Sequence, residues 1–425
     1  MIVEFSVRNF RSIKELQTIS FVATGLKSPV DFSKIDKNNI AEDGGMRLLK
    51  TIGIYGANAS GKSNIIRALE YFLQAIKNEA SSESNLNALC DPFLYQENPF
   101  NTESFFQITL IVKSKKYRYG FTVKRNSKVR EKPEGQYSKE IITSEWLLGT
   151  KEKNIGELFT RKGNDVKKES LPNKEKIPPL PYSHSLFLTH SAAFDGEGEC
   201  ASIRKYLVGR TVSNFSTGLD QFRKNTLILL EKEKKINEFI DLLSSFGINY
   251  SNIKIERDKN RPEIDILSHD KIFLTKSYNN EEIRLNLSYN ESAGTQKLFD
   301  LAGLLLRAFN MTASAFIIMD EVDNNFHPYL LIKLIGLFND SSLNKSNSQL
   351  LFTSHDTNLM SPSIMRRDQF YFTEKSEDNS TRLYSLAELK GIRNDADFAK
   401  QYLAGFYGAL PVLENYSNEN ILHND

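Results

Sequence analysis

Apolar residues recur at every second position through MIVEFSVRNF and again at Thr18–Val22, which predicts two short strands at Met1–Val7 and Thr18–Val22. A denser apolar run at Leu48–Tyr55 reads as a strand, and IIRALEYFLQAI places a helix over Ser63 to about Lys77. From Phe105 the period is again two. Phe106, Ile108, Leu110 and Val112 share one face, and Tyr117, Tyr119, Phe121 and Val123 follow a turn at 113–116, so a hairpin is expected. Ile141–Leu148 and Ile155–Thr160 extend this into an antiparallel subdomain at about 88–165. The polar, then proline-rich GNDVKKESLPNKEKIPPLPYS predicts an exposed connection at 163–183. Helical spacing prevails from about 195 to 246, without sustained heptads, as in a compact helical insertion. Thr295–Phe309 reads as an amphipathic helix and Ala315–Met319 as a strand buried on both faces. The pattern predicts an α/β fold with a mixed or parallel core sheet, divided as 1–165, 166–250 (linker and helical lid or arm) and 251–425.

Between the strand and the first helix stands GANASGKSN, residues 56–64. Glycine-rich backbone can curl its N–H groups around a phosphate at a helix N-terminus, and G-x-x-x-x-G-K-[ST] has that form. Lys62 is then placed to reach the β- and γ-phosphates and Ser63 to ligate Mg²⁺. Two acids, Asp320 and Glu321, end the buried strand, at the sheet edge where ligands of open α/β sheets collect. NESAGTQK offers Ser292 and Gly294 ahead of a helix, either as anion donors or as an ordinary N-cap. DNNFHP follows the acids, and LLFTSHD ends a strand on Ser354-His355.

Composition narrows the surroundings. The 425 residues carry 55 Lys plus Arg against 53 Asp plus Glu, a net charge of +2, so nucleic acid or membrane could be met only by a local patch. Cys90 and Cys200 form no C-x-x-C and read as small core residues in a reducing compartment. The start lacks the basic and apolar blocks of a signal peptide, and no apolar run approaches a membrane span, so a cytoplasmic protein is expected.

In order, the strand with NFRS, GANASGKSN, ESAGTQ, IIMDEVDNNFHP and LLFTSHD resembles the ABC-type ATPase heads of the SMC/RecF/OLD lineage. VRNFRSIKE and YLAGFYGALPVL are similar to RloA-type ATPases, bacterial proteins often encoded with phage-defence or restriction loci. The resemblance implies an ABC-type P-loop head that uses ATP and Mg²⁺. It implies Walker A contacts from Gly56, Asn58, Ser60, Gly61, Lys62, Ser63 and Asn64. Ser63 and Asp320 would hold the metal, Glu321 would activate the attacking water, and His355 would be the switch histidine at the γ-phosphate. Ser292 and Gly294 would be the signature loop reaching the nucleotide of an opposite subunit, with Asn324 and Asn325 in the D-loop and Arg11 helping to hold nucleotide. The signature reads SAGTQ instead of an SGGQ type, and Gln96 and Gln107 are both candidates for a Q-loop. The implied partners are a second copy in an ATP sandwich, as homodimer or higher homo-oligomer, and a separate effector.

Toprim nucleases of this lineage continue well beyond the switch histidine, whereas only 70 residues follow His355 here, with no D-x-D metal cluster. Asp395 and Asp397 form a D-A-D that reads as helix capping. Two functions follow: a regulatory ATPase whose nuclease effector is another chain, or a RecF-like DNA-binding repair ATPase. The second draws on Lys113, Lys115, Lys116, Arg118, Lys124, Arg125, Lys128 and Arg130, interleaved with Tyr117, Tyr119 and Phe121, as a phosphate-contacting ribbon. A solvated hairpin face would look much the same.

Overall fold

The computed structural model describes residues 1–78, 83–125, 140–151, 154–172, 174–212, 219–256, 271–279, 281–324 and 326–411. Its core sheet runs in the order Thr211–Val212, Phe316–Met319, Gln349–Thr353, Thr51–Gly56, Phe370–Lys375, Thr381–Ser385. Neighbours are parallel except the last pair, a hairpin. The strands Phe316–Met319 and Gln349–Thr353 are buried throughout, which is why FIIM and the central LLF are continuous apolar runs and not alternations. A second, antiparallel sheet has the order 165–167, 154–162, 140–151, 115–125, 104–112, 2–8, 17–20.

The helix Lys62–Lys77 lies between these sheets. It buries Ile65, Ile66, Leu69, Phe72 and Ile76 against Ile52, Ile54 and Ile318 on one side and Phe106, Tyr119 and Phe121 on the other. Phe72 stacks on Phe121 with centroids 5.3 Å apart. Burial of one such ring is worth about 1.5–3 kcal/mol, so this helix is held by packing far more than by propensity. The opposite face of the core sheet presents Tyr55, Ile317, Phe352 and Phe372 to the helices Ala293–Phe309 and Pro328–Asn339. A third core joins the sheet 252–256, 271–278, 281–286 to the helix Ala293–Phe309 through Leu274, Leu287 and Phe299. One buried side chain ties the two large sheets: Gln349 Oε1 accepts from Ile2 N (2.7 Å), and its Nε2 donates to Ile2 O and Leu49 O (both 3.0 Å).

The hairpin expected at 106–123 forms as Ser104–Val112 and Lys115–Arg125. The single strand expected at Leu48–Tyr55 is two, Met46–Leu49 and Thr51–Gly56. At the junction Lys50 N donates to Asn39 O while Lys50 O accepts from Leu350 N, so the chain leaves a two-stranded ribbon with Ile40–Asp43 and enters the core sheet. The connection at 163–183 is only partly exposed, because Leu171 and Ile177 are buried in the same core as Phe72. The stretch 195–246 is not purely helical. Helices Glu199–Gly209, Leu219–Glu231 and Ile236–Ser245 are joined by the edge strand Thr211–Val212, and they pack into the cores: Cys200, Ile203 and Leu207 beside the P-loop helix, Phe239 against Phe299. Cys90 and Cys200 are buried free thiols, each pushed up to about 12 by burial.

The expected basic ribbon divides between two faces. Tyr117, Tyr119 and Phe121 point into the core, Tyr117 Oη donates to Glu199, and Lys115 pairs with Glu199 at 3.6 Å. The interleaved aromatics are therefore closed to solvent; Lys128 and Arg130 lie outside the described residues.

Beneath this sheet Glu145 and Arg161 form an ion pair (3.2 Å) with both side chains fully buried. Glu145 also accepts from Tyr119 Oη, Phe187 N and Leu188 N, while Arg161 donates to Gly163 O and Ser183 O. Removing one partner of such a pair strands the other charge. Glu145→Ala should destabilise the protein by about 3–5 kcal/mol, read as a lower urea midpoint, and an unchanged midpoint would contradict the network.

Candidate nucleotide site

The loop 56–61 is shaped by its two glycines. Gly56 and Gly61 have φ of 147° and 110°, and neighbours crowd both. A Cβ on Gly56 would stand 2.3 Å from Thr373 O, and one on Gly61 would stand 2.0 Å from Thr381 Oγ1. Two hydroxyl chains clamp the loop from the hairpin 370–385. Ser60 Oγ meets Thr373 Oγ1 at 2.6 Å, and Thr373 Oγ1 donates to Tyr55 O. Asn64 Nδ2 donates to Ser12 Oγ (2.8 Å), Ser12 Oγ meets Thr381 Oγ1 (2.7 Å), and Thr381 Oγ1 donates to Ser60 O (3.0 Å). Asn58 at the loop tip is exposed, and Ser63 in the first turn of the helix is half-buried.

Lys62 folds back on the loop, donating to Gly56 O at 2.8 Å and Ala57 O at 3.0 Å. Burial lowers its ammonium pKa, and Asp320, Glu321 and Asp323 oppose that shift. The lysine thus sits within the field of the acids at the end of Phe316–Met319, although one strand, Gln349–Thr353, lies between.

That intervening strand positions the acids. Thr353 Oγ1 donates to Asp320 Oδ1 (2.5 Å) and accepts from Glu321 N (2.7 Å). Glu321 has a left-handed φ of 49°, sparsely used by non-glycine residues, and Thr353 together with Val322 N→Thr353 O (3.0 Å) holds it there. Its exposed carboxylate accepts from Asn324 Nδ2 at 2.6 Å. His355 is exposed directly after the strand, and its backbone N donates to Asp323 Oδ2 at 3.2 Å. P-loop, both acids and the histidine therefore share the carboxyl edge of three adjacent parallel strands.

Other residues singled out in the sequence lie elsewhere. Arg11, φ 51°, pairs with Asp91 (3.0 Å) and lies over the rings of Phe10 and Tyr71; its neighbour Ser12 makes the contact to Asn64. Ser292 is exposed and caps its own helix, accepting from Thr295 N at 3.2 Å, with Gly294 in the first turn of that helix. Gln96 bonds Asn9 and Phe93 O, and Gln107 accepts from Trp146 on the outer face of the antiparallel sheet. Asn325 lies outside the described residues. Asp397 caps the helix Phe398–Leu403 and Asp395 pairs with Arg393.

Sequence reasoning missed Ser12, Thr353, Thr373 and Thr381, whose hydroxyls organise the site. Thr353 alone carried a local signal, a hydroxyl closing the apolar run Leu350–Phe352 just before Ser354-His355. The other three reach the loop only through folding.

The residues fit a nucleotide and its metal: the glycine loop lies at the N-terminus of the helix Lys62–Lys77 with the Lys62 ammonium against its carbonyls, and the Ser63 hydroxyl with the Asp320 carboxylate is an all-oxygen donor set suited to Mg²⁺.

Among solved structures, the chain is similar to an SMC head bound to the C-winged helix domain of ScpA, at 14% identity and a TM-score of 0.43, covering 90% of this chain and 97% of that one. It is also similar to UvrA2 from Deinococcus radiodurans, at 14% identity and a TM-score of 0.22, covering 53% of this chain and 25% of that one. No curated protein matches. The family described as "AAA domain, putative AbiEii toxin, Type IV TA system" matches residues 52–361, from the P-loop strand past the histidine. The chain belongs to this family of AAA ATPase domains.

Proposed function

We propose that the chain is an ABC-type, RloA-like ATPase that binds and hydrolyses ATP with Mg²⁺ and dimerises around the nucleotide. It serves in the cytoplasm as the sensor or regulatory subunit of an antiviral defence system, acting with a separate effector, a Toprim-like nuclease; no nuclease activity is expected from this chain alone. The observation that carries the ATPase reading is the double tie of Thr353 to Asp320 and Glu321, on the strand next to the P-loop strand. The defence role and the effector rest on the resemblance of VRNFRSIKE and YLAGFYGALPVL.

The geometry supports the following roles. Backbone N–H groups of the loop receive phosphate oxygens, and Lys62 exchanges the carbonyls of Gly56 and Ala57 for them. Mg²⁺, when bound, offsets phosphate charge. Ser63 and Asp320 would hold it, with Thr353 fixing the Asp320 rotamer. Glu321, anchored by its own N–H and by Asn324, presents a carboxylate to orient the attacking water, and His355 stands at the same edge for the γ-phosphate. Among the described residues Ser292 bonds within its own turn, which suits a loop whose nucleotide belongs to a second copy. The isologous contact then buries two nucleotides per dimer. The described residues contain no helix long and apolar enough to cross a membrane. A RecF-like DNA-binding role has lost the hairpin aromatics that prompted it, since these line the core.

Removing an orienting partner costs about 10–100-fold in activity where the ligand itself is kept. Thr353→Val should therefore retain ATP binding in equilibrium dialysis while its turnover falls by about that factor; wild-type turnover would refute the positioning role. Glu321→Gln should bind ATP and stall, losing about 10²- to 10⁴-fold in rate. Lys62→Ala and Ser292→Arg chains, each inactive alone, should regain part of the ATPase activity when mixed, through one composite site. Verified heterodimers without recovered hydrolysis would leave ESAGTQ as a helix cap.

A further inference from the structure

The outer face of the antiparallel sheet carries a feature that the nucleotide site does not use. Register places Gln107, Gly120 and Trp146 in one cross-strand row and Arg8, Phe105 and Thr122 in the next. Gly120 leaves space under the indole: a Cβ there would lie 2.6 Å from Trp146 Cζ2, so the ring covers the backbone of the middle strand. Phe105 stacks on Trp146 with centroids 5.4 Å apart and planes 25° from parallel. The Arg8 guanidinium lies 5.9 Å from the Phe105 centroid, and Trp146 Nε1 donates to Gln107 Oε1 at 3.2 Å, which fixes the indole orientation. Both rings are half-buried and Arg8 is exposed.

Around this pair the face is polar and basic. Arg8, Lys116, Arg118 and Lys162 stand against Glu4 and Glu157. Thr109 Oγ1 and Arg118 Nε, opposite each other on neighbouring strands, are buried at this face and have no hydrogen-bond partner among the described residues. An aromatic placed only to cover a glycine would account for Trp146. It would not account for a second stacked ring, a guanidinium on that ring, or cations ranged on either side.

We propose that this face binds single-stranded nucleic acid, unpaired bases stacking on the Phe105–Trp146 pair while Arg8, Lys116, Arg118 and Lys162 receive the phosphates. A flat π surface on an open antiparallel sheet with flanking cations takes bases that are free to unstack; a duplex offers its phosphates but keeps its bases paired. The surface is separate from the buried Tyr117 and Tyr119 face, and its occupancy does not depend on the nucleotide reading.

The chain supplies its own probe, because Trp146 is its single tryptophan. The full-length protein is titrated with a 20-nucleotide oligothymidylate, and with a DNA duplex of the same length, while indole fluorescence is followed. Saturable quenching by the single strand is expected, with the duplex quenching little. If all four cations are engaged, raising salt from about 50 to 200 mM should weaken binding roughly 50-fold. Arg8→Glu, an exposed change that leaves the core untouched, should weaken it at least about tenfold, and Phe105→Ala should cost a similar factor. Trp146→Phe keeps a ring over Gly120, so a 5′-labelled oligonucleotide should bind it within about threefold of wild type by anisotropy. Absence of quenching at the lower salt overturns the proposal and leaves the pair as cover for Gly120. Duplex binding equal to or tighter than single-strand binding, without quenching, overturns it in favour of a phosphate-only surface.

Discussion

The P-loop keeps its shape because it is gripped from outside. Two threonines of the hairpin 370–385 approach the loop so closely that only glycine fits at 56 and 61, and their hydroxyls complete its polar groups. Everything near the site hangs on that grip. The NFRS turn, with left-handed Asn9 and Arg11, delivers Ser12 to Thr381. The FYGAL turn closes on the far side of the same hairpin, where Tyr384 Oη donates to Tyr407 O at 2.6 Å and Gly408 packs against Glu374. Two stretches that the sequence set at opposite ends of the chain thus meet on one pair of strands.

The acids depend on a comparable arrangement one strand over. Asp320 and Glu321 gain their geometry from Thr353, which belongs to the strand between them and the P-loop. One hydroxyl satisfies a carboxylate and a backbone N–H together, so the left-handed turn at Glu321 and the aspartate rotamer are set by the same atom. Burial of its Leu350 and Phe352 against Tyr55 and Ile317 makes that strand stiff enough to serve as the reference.

Much of this was legible in the chain. Period-two runs gave the hairpin 104–125, continuous apolar runs gave the buried strands, and the spacing of Gly56, Gly61, Lys62 and Ser63 gave the loop. The partners of the threonines were not legible: Thr353 stood out as the end of an apolar run, but a hydroxyl at a strand end looks alike whether it meets solvent or a carboxylate 33 residues away. The basic hairpin misled for a related reason. Its charges and aromatics alternate, and alternation states that two faces exist without stating which is buried. Only packing of Tyr117, Tyr119 and Phe121 on the P-loop helix resolved that, leaving Trp146 and Phe105 outside.

Gln349 has a mechanical consequence. Its amide makes three bonds to the backbones of Ile2 and Leu49, at a position closed to solvent. Shearing one large sheet past the other would break both bonds to Ile2 and orphan a buried donor and a buried acceptor of the amide at once, each costing about 1–3 kcal/mol. The sandwich around the P-loop helix is thereby a stator. The helix Ala293–Phe309 and its small three-stranded sheet lie beyond that tie, on the opposite face of the core sheet, where no such bond to Ile2 restrains them.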